Sequence, residues 1–158
     1  MSLEPIITFL ASYLVFLLIT GLFILWFIDG KIKKEQVVHA LFASFTAWII
    51  AHIIKDLFPT TRPFLENGVN PLTLTTPTDS AFPSGHSAFS FALSMTIFLH
   101  DKKVGLFFII CAFLIGISRV LAHVHYPIDI AGGALLGIVV AVVVEKIHPF
   151  KLLTFSRH

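Results

Sequence analysis

The chain has 158 residues, 56% of them hydrophobic and only 13% charged, with a mean hydropathy of +0.91. That composition excludes a water-soluble globular domain and makes the bilayer the solvent the fold must satisfy. A net charge of +2 excludes the basic footprint of a nucleic-acid binder.

The length is that of one domain, spanning 1–158. Hydropathy predicts an all-α integral membrane bundle of about five transmembrane helices. The first span is 6–28, which at ~1.5 Å per residue covers ~34 Å. Before it, M-S-L-E-P has no basic residues, and no small-residue cleavage site closes the run, so no removable signal peptide is expected. A link with Lys31, Lys33 and Lys34 leads to a second span, 37–57, which ends in a charged tip at Lys55 and Asp56. From 58 to 81 the chain changes character, with prolines, a run of threonines and Asn67-Gly68. A loop of that length is usually functional or disordered.

The stretch S-A-F-P-S-G-H, Ser80 to His86, opens the third span, 83–99. Pro83 suits a first helical turn, where its missing N–H would be unpaired anyway. Ser84 and Gly85 leave backbone N–H groups bare at a helix start, where the macrodipole favours an anion, and His86 follows them. Alone, the stretch reads equally as a phosphate site or as a capped helix start with an interfacial histidine. His100 to Lys103 turns the chain into the fourth span, 104–121. A polar turn, 123–127, leads to the fifth, 128–147, and a basic tail follows from Lys146. Gly133 and Gly137, four apart on one helix face, predict close helix packing. Cys111, mid-helix among apolar residues, reads as a small hydrophobe. No Cys/His zinc spacing is present.

Lys31, Lys33 and Lys34 follow the first span, Lys102 and Lys103 the third, and Lys146, Lys151 and Arg157 the fifth. All three ends fall on one side of a five-span topology, which makes that side cytoplasmic and puts the N-terminus outside. The opposite, extracytoplasmic side receives Lys55, Arg62, His86, Arg119, His125 and Asp129. Ionisable residues beside membrane spans are costly and are functional candidates by default. Singly, Lys55 could snorkel, Arg62 could meet headgroups and His125 could hydrogen-bond at the interface.

Their joint order is more specific. Lys55 precedes Arg62-Pro63 by seven residues, then comes Pro83-Ser84-Gly85-His86, then Ser118-Arg119 with His125 and Asp129 downstream. This resembles the type 2 phosphatidic acid phosphatases, grouped with the vanadium haloperoxidases, whose signature is K-x6-R-P, P-S-G-H and S-R-x5-H-x3-D. Every specified position matches. A-S-Y-L in the first span and T-R-P-F in the loop narrow the resemblance toward bacterial undecaprenyl-diphosphate phosphatases, which often carry Asp where this chain has Gly85.

The resemblance implies a lipid phosphatase of the bacterial cytoplasmic membrane, acting on a polyprenyl diphosphate or another lipid phosphate. Phosphatidylglycerophosphate, phosphatidic acid and lipid A phosphates stay open as substrates. It implies His125 as nucleophile, Asp129 as its orienting partner and His86 as general acid and base. Lys55, Arg62, Ser84, Gly85 and Arg119 would bind the phosphate. Three cations then supply the charge that phosphoryl transfer needs, no carboxylate cluster offers to hold magnesium, and no metal or cofactor is expected. A different class remains, a non-catalytic lipid-binding or transport protein that keeps the fold. Two departures stand out: one span fewer before Lys55 than the usual six-span relatives, and His123 where relatives often have a small residue. His39, His52, His100 and His148 match no motif and receive no role.

Overall fold

In the computed structural model, residues 2–29 and 34–147 are described, and among them the chain is all helical. Helix α1 is Glu4–Ile24, continued by a π-helical turn, Leu25–Asp29. Helix α2 is Lys34–Leu57 and the short α3 is Pro63–Asn67, followed by α4, Gly85–His100, α5, Lys102–Leu121, and α6, Pro127–Ile147. Four helical stretches are long and apolar enough to cross a bilayer: Glu4–Phe27, Lys34–Leu57, Lys102–Leu121 and Pro127–Ile147. Large apolar side chains on these helices, among them Phe9, Phe42, Phe107 and Leu135, are exposed, as a lipid-facing surface requires.

The remaining long helix, α4, occupies the centre. It has 16 residues and at ~1.5 Å per residue spans ~24 Å, less than a ~30 Å hydrocarbon core. Helices α2, α5 and α6 pack around it, and α1 lies against α5. Its sequence explains the position. Small residues such as Ala88, Ala92, Ser90 and Ser94 let three neighbours approach closely. The buried hydroxyls of Ser94 and Thr96 donate back to the Ser90 and Ala92 carbonyls at 2.7 and 2.9 Å, so neither of these two is stranded. The predicted glycine pair meets this helix. A Cβ on Gly137 would lie 2.4 Å from the Ala88 carbonyl oxygen, and one on Gly133 2.4 Å from that of Ser84. The two glycines therefore set the α4–α6 spacing.

The start of α4 differs from the expectation. Pro83 lies before the helix, behind a cis Phe82–Pro83 peptide, and Ser84 is the N-cap, its hydroxyl accepting from the Ser87 N–H at 3.4 Å. The long loop is ordered by backbone pairing with the α5–α6 turn. Phe64 N–H donates to the His123 carbonyl and Leu72 N–H to that of Ala122. His123 itself has φ +61°, a left-handed conformation favouring small residues, and its side chain is exposed.

Lys34, Lys102, Lys103 and Lys146 all sit at the end of the bundle where α4 finishes, and Lys55 alone among the described lysines sits at the other. Lys31, Lys33, Lys151 and Arg157, which also entered the topology argument, lie outside the described residues, as does His148.

Candidate active site

At the Lys55 end, a cavity of about 520 Å³ is lined by Lys55, Arg62, His86, Arg119 and His125, with Gly85 on its wall. These residues come from separate parts of the chain. Lys55 closes α2, Arg62 precedes α3, His86 is in the first turn of α4, Arg119 is in the last turn of α5, and His125 lies between α5 and α6. Lys55, Arg62 and His125 are 2–3% exposed and Arg119 6%. Burying three cations together is costly unless anionic or polar partners face them.

Those partners are visible. The Arg62 guanidinium donates to the Asp79 carboxylate at 2.6 Å, to the Asp79 carbonyl at 2.8 Å and to the Val124 carbonyl at 2.7 Å. Lys55 Nζ lies 3.0 Å from the other Asp79 oxygen and donates to the Ser80 carbonyl. Burial works against the Asp79 carboxylate, but the hydrogen bond and charge of Lys55, with Arg62, outweigh it and hold the carboxyl at about 2. Arg119 donates to the Ala11 carbonyl of α1 at 3.1 Å, while its buried Nε has no hydrogen-bond partner among the described residues. That leaves donor capacity in the cavity wall for an anion.

His125 is held from both ring nitrogens. Nδ1 is 3.4 Å from the Asp129 carboxylate, and Nε2 is 3.4 Å from an Arg62 nitrogen. Arginine can only donate, so Nε2 keeps its lone pair and the proton sits on Nδ1, facing Asp129. Burial lowers the imidazole below its ordinary value and favours the neutral ring, although the Asp129 hydrogen bond pulls the other way. Asp129, 2% exposed in the first turn of α6, also accepts from the Tyr126 N–H at 2.8 Å, which fixes its carboxylate beside the ring.

Ser84 is placed differently from the other expected residues. It is fully buried, does not line the cavity, and its N–H donates to the Asp129 carbonyl at 3.0 Å. Its hydroxyl oxygen caps α4 by accepting from the Ser87 N–H, a contact that uses only the acceptor side of the group. The Gly85 and His86 N–H groups, in the first helical turn, have no intrahelical acceptor. Gly85 packs against α2, where an added Cβ would lie 3.2 Å from the His52 ring.

Much of the cavity wall was not expected from the sequence, including Ser12, Phe16, His52 and Asp79. His52 is one turn before Lys55 on the same face of α2, a spacing that could have drawn attention to it. Asp79 lies just before the S-A-F-P-S-G-H stretch, and Ser12 is in the A-S-Y-L stretch, which was noted without a site role; nothing in the apolar pattern of α1 marks Phe16.

The profile of the PAP2 superfamily matches residues 36–152, which include every expected site residue. The chain belongs to the PAP2 superfamily. Its four long apolar helices make it an integral membrane member of that superfamily. It is 38% identical over 144 residues to the bacitracin transport permease protein BcrC of Bacillus licheniformis, covering 90% of this chain and 70% of that one. It is 25% identical over 138 residues to the undecaprenyl-diphosphatase BcrC of Bacillus subtilis, covering 87% and 71%. Among solved structures, Aquifex aeolicus LpxE superposes with a TM-score of 0.75 at 30% identity, covering 91% of this chain and 86% of the other. The PAP2 match begins at the foot of α2, so α1, which closes the cavity with Ser12 and Phe16, lies outside it.

Proposed function

We propose that the cavity hydrolyses a lipid phosphate, with polyprenyl diphosphate as the favoured substrate, through a phosphohistidine on His125. The observation that carries this is the His125 geometry: Nδ1 turned to Asp129, and Nε2, with its lone pair, turned to the cavity and beside Arg62. Nε2 attacks phosphorus as the bond to the leaving oxygen breaks, and His86 gives its proton to that oxygen. A water then loses a proton to His86 and attacks the phosphohistidine, which releases inorganic phosphate and restores both histidines.

Lys55, Arg62 and Arg119 neutralise the phosphoryl oxygens, with the Gly85 N–H as a further donor, so the chemistry calls on no metal. Ser84, expected as a phosphate ligand, acts here by tying the start of α4 to the Asp129 backbone. Asp79 occupies Lys55 and Arg62 until a phosphate competes for them. A dianionic phosphate beside His86 favours its protonated form, as an acid requires.

A lipid substrate is supported by a second hollow of about 350 Å³, walled by Val15, Ile19, Phe45 and Phe89 and sharing Phe16, Trp48, Gly85 and His86 with the cavity. An apolar chain laid there would present its phosphate to His86. The diphosphate preference rests on the name of the Bacillus subtilis relative. The lysine distribution supports an extracytoplasmic site in a bacterial cytoplasmic membrane. The Bacillus licheniformis relative is named a transport permease, which keeps a non-catalytic carrier as the second reading. Phosphate release by purified protein, from a panel of polyprenyl diphosphate, phosphatidylglycerophosphate, phosphatidic acid and lipid A phosphates, separates the two. No release above a His125→Ala control would exclude the phosphatase reading.

A further inference from the structure

A second polar cluster lies at the far end of the bundle. His39 is near the start of α2, His100 is the last residue of α4, and Glu145 is near the end of α6. On each helix they stand ~21–24 Å from Lys55, His86 and Asp129 respectively, at ~1.5 Å per residue. His39 is 2% exposed, whereas His100 and Glu145 are about a fifth exposed, at 22% and 20%.

Both imidazoles converge on one carboxylate oxygen. Glu145 Oε2 is 3.1 Å from His100 Nε2 and 3.6 Å from His39 Nδ1. One candidate ligand atom from each residue lies within 4.8 Å of the other two. Tetrahedral zinc with bonds of ~2.0–2.1 Å places its ligands ~3.3 Å apart. The two contacts to Glu145 already bracket that spacing, and small side-chain shifts would close the remainder.

We propose that His39, His100 and Glu145 form a binding site for a divalent transition metal, with zinc favoured by the ligand set. Two neutral imidazoles and a carboxylate suit zinc, while magnesium and calcium take oxygen ligands. The ion would neutralise Glu145 and coordinate the buried His39, and the partial exposure of His100 and Glu145 leaves room for a water as fourth ligand. It would clamp α2, α4 and α6, the helices whose opposite ends carry Lys55, His86 and Asp129. Its role is structural and it touches no substrate, so it is independent of the phosphatase proposal.

The test uses full-length protein in detergent with any affinity tag removed, stripped with chelator, equilibrated with zinc and desalted before elemental analysis. Wild type should retain about one zinc per chain, and His100→Ala and Glu145→Gln should each lose most of it. Zinc at a hundredfold excess over its Kd should raise the wild-type unfolding midpoint by about 5–10 °C, and magnesium should not. Phosphate release by His100→Ala should stay near the wild-type rate. Zinc retention equal in wild type and both variants, or an equal midpoint shift with magnesium, overturns the proposal and leaves a hydrogen-bonded triad. The midpoint measurement needs no variant, so a misfolded substitution cannot shield the claim.

Discussion

Asp129→Asn probes the proposed role of the carboxylate behind the nucleophile. As Nε2 bonds to phosphorus, the ring with its Nδ1 proton becomes cationic and faces Asp129 across 3.4 Å. Two unit charges at that separation interact by about 5 kcal/mol at an effective dielectric of ~20. Asparagine keeps an oxygen for the Tyr126 N–H, so the turn should hold, and its amide dipole recovers part of the interaction. A net loss of ~3–4 kcal/mol corresponds to a 10²–10³-fold fall in kcat. The pH profile gives a second readout. Burial lowers the His125 pKa and the Asp129 hydrogen bond raises it, so removing the charge lets burial dominate and the pKa falls further. The acid limb of kcat/KM, where His125 protonates, should move to lower pH. The assay is phosphate release in detergent from pH 2.5 to 8, with a melting curve on each variant at each pH. A folded Asp129→Asn enzyme within threefold of wild type, or an acid limb shifted upward, would refute the reasoning.

Other consequences can be checked with the same preparation. Because Lys55, Arg62 and Arg119 supply the charge, brief chelation should leave the initial rate largely intact, and vanadate, a mimic of five-coordinate phosphorus, should inhibit; activity lost to chelator and regained with a divalent ion would contradict the mechanism. His86→Ala should slow release of a lipid alkoxide ~10²–10⁴-fold and release of nitrophenolate much less, since a good leaving group needs no acid. Equal losses for both substrates would remove His86 from that role. Single cysteines at Asn67 and Lys102, in a Cys111→Ser background, should label from opposite faces of the membrane, and labelling from one face would overturn the topology.

Much of the site was legible because its chemistry is carried by charged residues at the ends of apolar helices, where few other reasons for them exist. Lys55, Arg62, His86, Arg119 and His125 announce themselves by spacing, and the structure brings all five to one cavity. The five long helices were legible from hydropathy alone, whereas the short α3 fell inside the segment read as a loop. What escaped depends on tertiary geometry. Ser84 was expected to bind phosphate; it lies off the cavity wall, and its hydroxyl oxygen caps α4. Asp79 has no motif of its own and gains meaning only when two cations fold onto it. Helix α1 contributes through Ser12, Phe16 and the Ala11 carbonyl, which an apolar span does not advertise. His39, His100 and Glu145 are on three helices and share no local spacing, so their meeting belongs wholly to the bundle.

The central claim, a phosphoryl group carried on His125, is tested most directly by trapping it. Substrate labelled in the phosphate that is removed is mixed with enzyme, the reaction is quenched in denaturant at alkaline pH, and acid-labile label on protein is counted. Label is expected on wild type and on His86→Ala, and none on His125→Ala. Label that persists in His125→Ala and vanishes in His86→Ala would contradict it, since the two histidines would then have exchanged roles.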